Sequence, residues 1–217
     1  MLANANPEPK GGHTPPKPRL SSAERRTAIV DAAVDLFSQR GFRGTTTREL
    51  ASAVGVTEPV LYQHFETKRD LYTAMIDRMV SDMTLQERER IERLMQCTDD
   101  NVFFNAVGEL ILNWYHQETQ HIRLLLFSAL EGHELADLWQ SKVQQHFQGF
   151  VESYIARRAR EGALAVANPG LAARAFLGMV GHYGLISVIF QCPFPELSRE
   201  EVLEHFVDIF MNGVRNV

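Results

Sequence analysis

Cysteine is almost missing: the 217 residues hold two, Cys97 and Cys192. They have no metal-ligand spacing and make no disulfide framework, so they read as reduced thiols of a cytosolic protein. Proline is scarce where the chain must fold. Five of the nine stand in the first twenty residues. The longest apolar run, Phe176 to Phe190, is interrupted by His182 and is expected to be too short for a bilayer. The N-terminus lacks the apolar core of a signal peptide, so a soluble protein is expected. No alternating pattern marks strands, no repeat recurs, and no Gly-rich phosphate loop appears. The eight histidines form no HxxxH or ExxH pair on one inward face; His116 and His121 are five apart. No nucleophile, base and orienting group can be assembled from spacing. These gaps argue against an enzyme, a resident metal or a cofactor.

A strongly basic balance is also lacking. The net charge is −5, which ill suits a nucleic-acid binder until the chain is divided. Residues 1–70 carry ten Lys and Arg against eight Asp and Glu, net +2; the rest carry twelve against nineteen, net −7. Only the first third suits phosphate.

That third contains Thr45 to Asp70, TTTRELASAVGVTEPVLYQHFETKRD. Leu50, Ala51 and Val54 make one apolar helical face, and Leu61 with Phe65 makes another. Gly55 between them can take a left-handed turn without a Cβ penalty. Val56 is expected to plug the angle between the two helices. Thr57 is expected to cap the second, with Pro59 at its second position, and to accept from the N–H of Val60. The pattern predicts a helix-turn-helix.

At about 100° per residue, Pro59, Val60 and Gln63 point away from Leu61 and Phe65, flanked by Tyr62 and His64. Gln pairs bidentately with adenine, and apolar groups meet the thymine methyl. Tyr62 and His64 can reach phosphate. Thr47 and Arg48 fall in the first turn of the preceding helix, where outward N–H groups attract phosphate. Arg48 either reaches a guanine edge or pairs with a neighbouring carboxylate. Glu58 either accepts from a cytosine amine or stabilises its helix N-terminus.

Gly55-Val56, Leu61-Tyr62, His64-Phe65 and Lys68, preceded by FSQRGFRGTTTRELASAVGV, resemble the DNA-binding domain of TetR-family (TetR/AcrR) transcriptional repressors. The likeness runs from about Ala23 to Ile76. It implies an all-α protein with a three-helix DNA-binding domain and a helical C-terminal domain for an effector and for dimerisation. It also implies a phosphate-directed Lys68, a homodimer on a palindromic operator, and a cytoplasmic, nucleoid-associated protein of a bacterium.

The expected organisation is a disordered arm over 1–20, the helix-turn-helix domain over 21–66, a linking helix over 67–96 and the effector and dimer domain over 97–217. Capping boxes mark helix starts at Ser21 with Glu24, Thr46 with Glu49, Thr67 with Asp70, and Ser198 with Glu201. Arg40-Gly41-Phe42 reads as a helix stop with Gly41 left-handed and Phe42 folding back. The linking helix carries Leu71, Tyr72, Met75, Ile76, Met79 and Met83; Leu85 to Gln96 either continues it or stands apart. Further helices are expected from Asp99 through Trp114, about His121 to Leu130 with a stop near Gly132, about Glu134 to Arg160, Asn168 to Phe190, and from Ser198. Val143 is placed on the inner face of the Glu134 to Arg160 helix.

Gly178, Gly181 and Gly184 recur every third residue along the penultimate helix. Each costs about 1 kcal/mol relative to Ala, which is tolerated where another helix comes close. By resemblance, Gly178, Gly181, Val202, Phe206, Ile209 and Phe210 form the dimer interface. The inward aromatics Phe103, Trp114, Phe147, Phe150, Tyr154, Phe176 and Tyr183, with Val107 and His182, are the candidate effector site. Such a lining suits a small hydrophobic ligand. The expected function is a dimeric repressor released from DNA by that ligand. The alternatives are a helical enzyme or metal- or cofactor-binding bundle, and a protein-interaction adaptor.

Overall fold

The computed structural model of the chain describes residues 21–81, 85–130, 137, 141, 145–192, 194 and 196–214. The expected N-terminal arm, Met83, Gly132 and Val143 lie outside these residues, as do the side chains of Ile76 and Met79. The described helices are α1 (Ser22–Arg40), α2 (Thr47–Val54), α3 (Glu58–His64), α4 (Lys68–Ser81), α5 (Leu85–Met95), α6 (Asp100–Gln117), α7 (Thr119–Leu130), α8 (Gln145–Arg160), α9 (Pro169–Gly184, extended by a π turn over Leu185–Ile189) and α10 (Arg199–Val214). The all-α expectation holds.

Six of the described helices begin where a side chain takes up free N–H groups of the first turn. Ser21 and Glu24 close a reciprocal box on α1, and Thr46 and Glu49 do so on α2. Thr67 pairs with Asp70 ahead of α4, and Ser198 with Glu201 ahead of α10. Asp99 and Asn168 cap α6 and α9. α1 stops at Gly41, whose φ of 73° is positive but whose ψ of 175° is extended rather than left-handed. Only glycine adopts that pair of angles readily. Phe42 then folds back, its ring 5.6 Å from that of Phe37 and edge-on to Tyr72 at 6.0 Å.

Two cores result. The first gathers Ile29, Ala33 and Phe37 of α1, Leu50 and Ala51 of α2, Leu61 and Phe65 at α3, and Leu71, Tyr72 and Met75 of α4. Val56 packs against it from the turn, as expected. This core does not end at residue 66: α4 belongs to it, and so does Leu124 of α7. The second core joins α6, α8, α9 and α10 around Phe103, Phe104, Tyr154, Phe176 and Phe210. α6 and α10 come so close that a Cβ on Gly108 would stand 2.2 Å from Leu203 Cδ1.

α7 packs mainly on the first core and also touches α6 and the π turn after α9. Besides Leu124, it contributes Ser128, whose Oγ lies 2.6 Å from Tyr72 Oη with both side chains fully buried. Arg123 Nε donates to the Ser38 carbonyl of α1 at 3.4 Å. At the opposite end of the second core, Asp100 accepts from Tyr154 Oη at 2.8 Å and from Arg158 Nε at 2.7 Å. Burial, then the Asp100 bond, pushes the Tyr154 phenol well above its ordinary range.

Pro169 to Ile189 forms 21 continuous helical residues, apolar and long enough by length and composition alone to cross a bilayer. The apolar run that starts at Phe176 is the C-terminal part of this helix. One side of this helix, Ala173, Phe176, Val180 and Gly184, is buried in the protein's own core.

Candidate nucleic-acid interface

The interface is assembled by α2 and α3. Gly55, at φ 71° and ψ 33°, ends α2 in the left-handed conformation, with its N–H on the Ala51 and Ser52 carbonyls. Arg40 pairs with Glu49 at 2.8 Å and fixes α2 on α1. Bonds from the Thr46 backbone and hydroxyl hold the Glu49 carboxyl below its usual range. Leu61 and Phe65, 2% and 3% exposed, anchor α3 and turn its other face out.

On that outer face Thr57, Pro59, Tyr62 and Gln63 are exposed, while Glu58, Val60 and His64 are half-buried. Thr57 stands at the N-cap but makes no side-chain cap bond. The expected Thr57 hydroxyl bond is replaced: the Val60 N–H donates to the Thr57 backbone carbonyl at 3.0 Å. Thr47, Glu58 and Tyr62 meet across the α2–α3 junction. The Thr47 hydroxyl donates to Glu58 Oε2 at 2.9 Å, and Tyr62 Oη donates to Thr47 Oγ1 at 3.4 Å. Arg48 is exposed, and among the described residues it forms no ion pair. Lys68 is half-buried and turned inward. Its ammonium donates to the Phe42 carbonyl and lies 4.1 Å from the centre of the Phe42 ring. In this structure it braces the start of α4 against the α1–α2 link.

Arg26 of α1 had no local sequence signal. Its Nη1 donates to the His64 carbonyl at 2.6 Å, and its guanidinium lies 4.1 Å from the Phe65 ring centre. Contacts across 38 residues leave no periodic trace.

The candidate effector residues divide. Phe103 stacks on Tyr154 with centroids 3.4 Å apart, and Phe104 meets Phe176 and Phe210 at 4.8 Å each. Phe103, Val107, Tyr154 and Phe176 are fully buried in this close-packed set. In this structure they pack against one another in the second core: a helical stripe reports an inward direction, not what it meets. Trp114, Phe147, Phe150 and Tyr183 are half-buried, and His182 is exposed on the outside of α9. A cleft of about 310 Å³ lies elsewhere, between α1 and α4.

The dimer set divides too. Val202 and Phe210 are 5% and 7% exposed, buried within the protomer itself. Gly178 is exposed with nothing within 4 Å of a built Cβ, Ile209 is 62% exposed, and Gly181 and Phe206 are half-buried. Gly184, by contrast, has the Tyr115 ring 2.6 Å from a built Cβ, so that close approach is within the chain.

Residues 29–75 match the profile of bacterial regulatory proteins of the tetR family, and residues 108–213 match that of the C-terminal domain of AefR-like transcriptional repressors. The chain belongs to the TetR family. Its order of a helix-turn-helix unit followed by a helical domain is that of the family's solved structures. A TetR-family transcriptional regulator from Mesorhizobium loti superposes with a TM-score of 0.69 at 20% identity, covering 91% of this chain and 100% of that one. The regulator AibR, solved with isovaleryl coenzyme A and operator DNA, gives a TM-score of 0.63 at 24% identity over 86% of this chain and 97% of that one. The transcriptional activator FasR of Mycolicibacterium smegmatis is 34% identical over 107 residues, 49% of this chain and 48% of FasR. The chain thus matches about half the length of that regulator.

Proposed function

We propose that this protein is a homodimeric transcriptional regulator that grips a palindromic operator with two copies of α3 and releases it when a small hydrophobic molecule binds the C-terminal domain. The observation that carries the reading is the outer face of α3. A seven-residue helix, anchored by Leu61 and Phe65, turns Tyr62 and Gln63 into solvent beside an Arg48 that has no ion-pair partner among the described residues. Gln63 and Arg48 are the base readers, matched to adenine and guanine edges. Tyr62, Thr47, His64 and Thr57 are suited to phosphate. Glu58 organises Thr47 and Tyr62 through the bonds already described.

Dimerisation is supported by the open side of α9 and α10, where Gly178, His182 and Ile209 lie exposed. A two-fold dimer matches the symmetry of a palindrome, with half-sites about 34–36 Å apart or somewhat more. The effector reading draws support from AibR, whose structure holds an acyl thioester. Here Trp114, Phe147, Phe150 and Tyr183 remain as candidates because they are only half-buried. Such a regulator acts on the nucleoid, in the cytoplasm.

The experiment is enrichment of duplexes from a random pool by the purified full chain, followed by release with hydrophobic small molecules that raise its melting temperature. Enrichment of a two-fold symmetric motif is expected. Recovery of no motif overturns the DNA-binding reading, whereas a motif that no compound releases overturns the effector reading alone.

A further inference from the structure

α3 is held in an unusual way for the element that reads DNA. Its seven residues are far too few to sustain a helix alone. Its N-cap side chain makes no bond, so the N-terminal end is fixed by backbone and by the Glu58–Thr47 pair. The C-terminal end is seated by Phe65 in the first core and tied down from α1 as well. Arg26 of α1 donates to the carbonyl of His64, the last residue of α3, and its guanidinium covers the ring of Phe65, the C-cap. A helix C-terminus carries partial negative charge, so a cation there is favourable. Stacking over the ring holds the planar fork in the orientation the carbonyl needs.

Leu61 is a pivot near the middle of α3, and the two ends decide its tilt. We propose that Arg26 is a positioning residue for the recognition helix: its tie to His64 and Phe65 sets the angle at which α3 presents Tyr62 and Gln63. This assignment rests on the DNA-binding reading above. Without the tie, Phe65 alone seats the C-terminal half of α3, and the tilt that follows misplaces Gln63 against its base edge more than it changes the general attraction to phosphate.

The test uses the full chain, a duplex enriched by the wild-type protein and a scrambled duplex of equal length. Affinities of wild type, Arg26→Ala and Arg26→Lys are measured across a salt series, with urea unfolding alongside. Arg26→Ala should lose about ten-fold in affinity for the enriched duplex, the scale of one hydrogen bond to a charged group. Its affinity for the scrambled duplex and its salt slope should match wild type. Arg26→Lys should fall between, since an ammonium reaches the carbonyl but lacks the planar fork. If Arg26→Ala does not fold, Arg26→Lys decides: reduced discrimination between the two duplexes supports the proposal, and unchanged discrimination overturns it. A salt slope lower by about one for both duplexes makes Arg26 a phosphate contact and overturns the proposal. Variants indistinguishable from wild type overturn it as well, and alone. A wild-type chain that enriches no sequence removes the DNA-binding reading and this proposal together.

Discussion

Replacing Tyr72 with Phe deletes one oxygen where α7 packs against α4 in the first core. Ser128 Oγ donates to the Leu124 carbonyl within α7 at 2.9 Å, so its lone pair is what receives the Tyr72 hydroxyl 2.6 Å away. Tyr72→Phe therefore leaves a buried acceptor without this donor, at about 1 kcal/mol. Ser128→Ala instead removes the acceptor of a fully buried phenol, at about 1–3 kcal/mol. The double variant replaces both partners by apolar groups and should cost clearly less than the sum of the two. Urea unfolding of the four proteins at one fixed concentration gives the cycle. Operator affinity should follow the same pattern, because α7 also places Leu124 in the first core and Arg123 on the Ser38 carbonyl. Strict additivity would refute the pairing. A cycle that couples in stability but leaves DNA affinity untouched would refute the idea that α7 joins the two halves.

Asp100→Ala removes the common acceptor of Tyr154 and Arg158, whose side chains are buried or nearly so. A loss of about 3 kcal/mol in urea is expected, the lower end of the range because Glu161 still meets Arg158. The capping carboxyls of Glu24, Glu49 and Glu201 are all lowered by bonds to Ser21, Thr46 and Ser198. Their contribution is present above the ordinary glutamate value of about 4.3 and lost as pH falls through the depressed folded values. Helix content by circular dichroism should stay level from about pH 7 to about pH 5 and decline below about pH 4. Gly178→Ala meets nothing within the protomer and gains up to about 1 kcal/mol of helix propensity. The added methyl should nevertheless weaken the dimer in sedimentation equilibrium, and an unchanged dissociation constant would take Gly178 out of the interface.

What the sequence made legible was local. Capping boxes at Ser21, Thr46, Thr67 and Ser198, the Gly55 turn and the Leu50, Ala51, Leu61 and Phe65 stripes all depend on neighbours within a few residues, and the structure has them. Contacts that cross the chain were not legible. Arg26 on His64, Thr47 on Glu58 and Tyr72 on Ser128 join residues 38, 11 and 56 positions apart. Lys68 shows the same limit: the resemblance directs it to phosphate, while its contacts with the turned-back Phe42, a carbonyl and a ring, are legible only in the structure. The aromatic stripes show direction but not occupancy: that Phe103 and Tyr154 stack on each other is not readable from their spacing. Ile209 and Phe210 are neighbours on one apolar stripe, yet Ile209 faces solvent and Phe210 the core.

Base reading by the outer face of α3 is the central claim. Parallel enrichment from one random pool by the wild-type chain and by Gln63→Ala tests it most directly. The wild type should return a palindrome of two half-sites. Gln63→Ala should return the same spacing, with one position per half-site relaxed by about 1–3 kcal/mol of preference. Identical motifs from both proteins would contradict the claim.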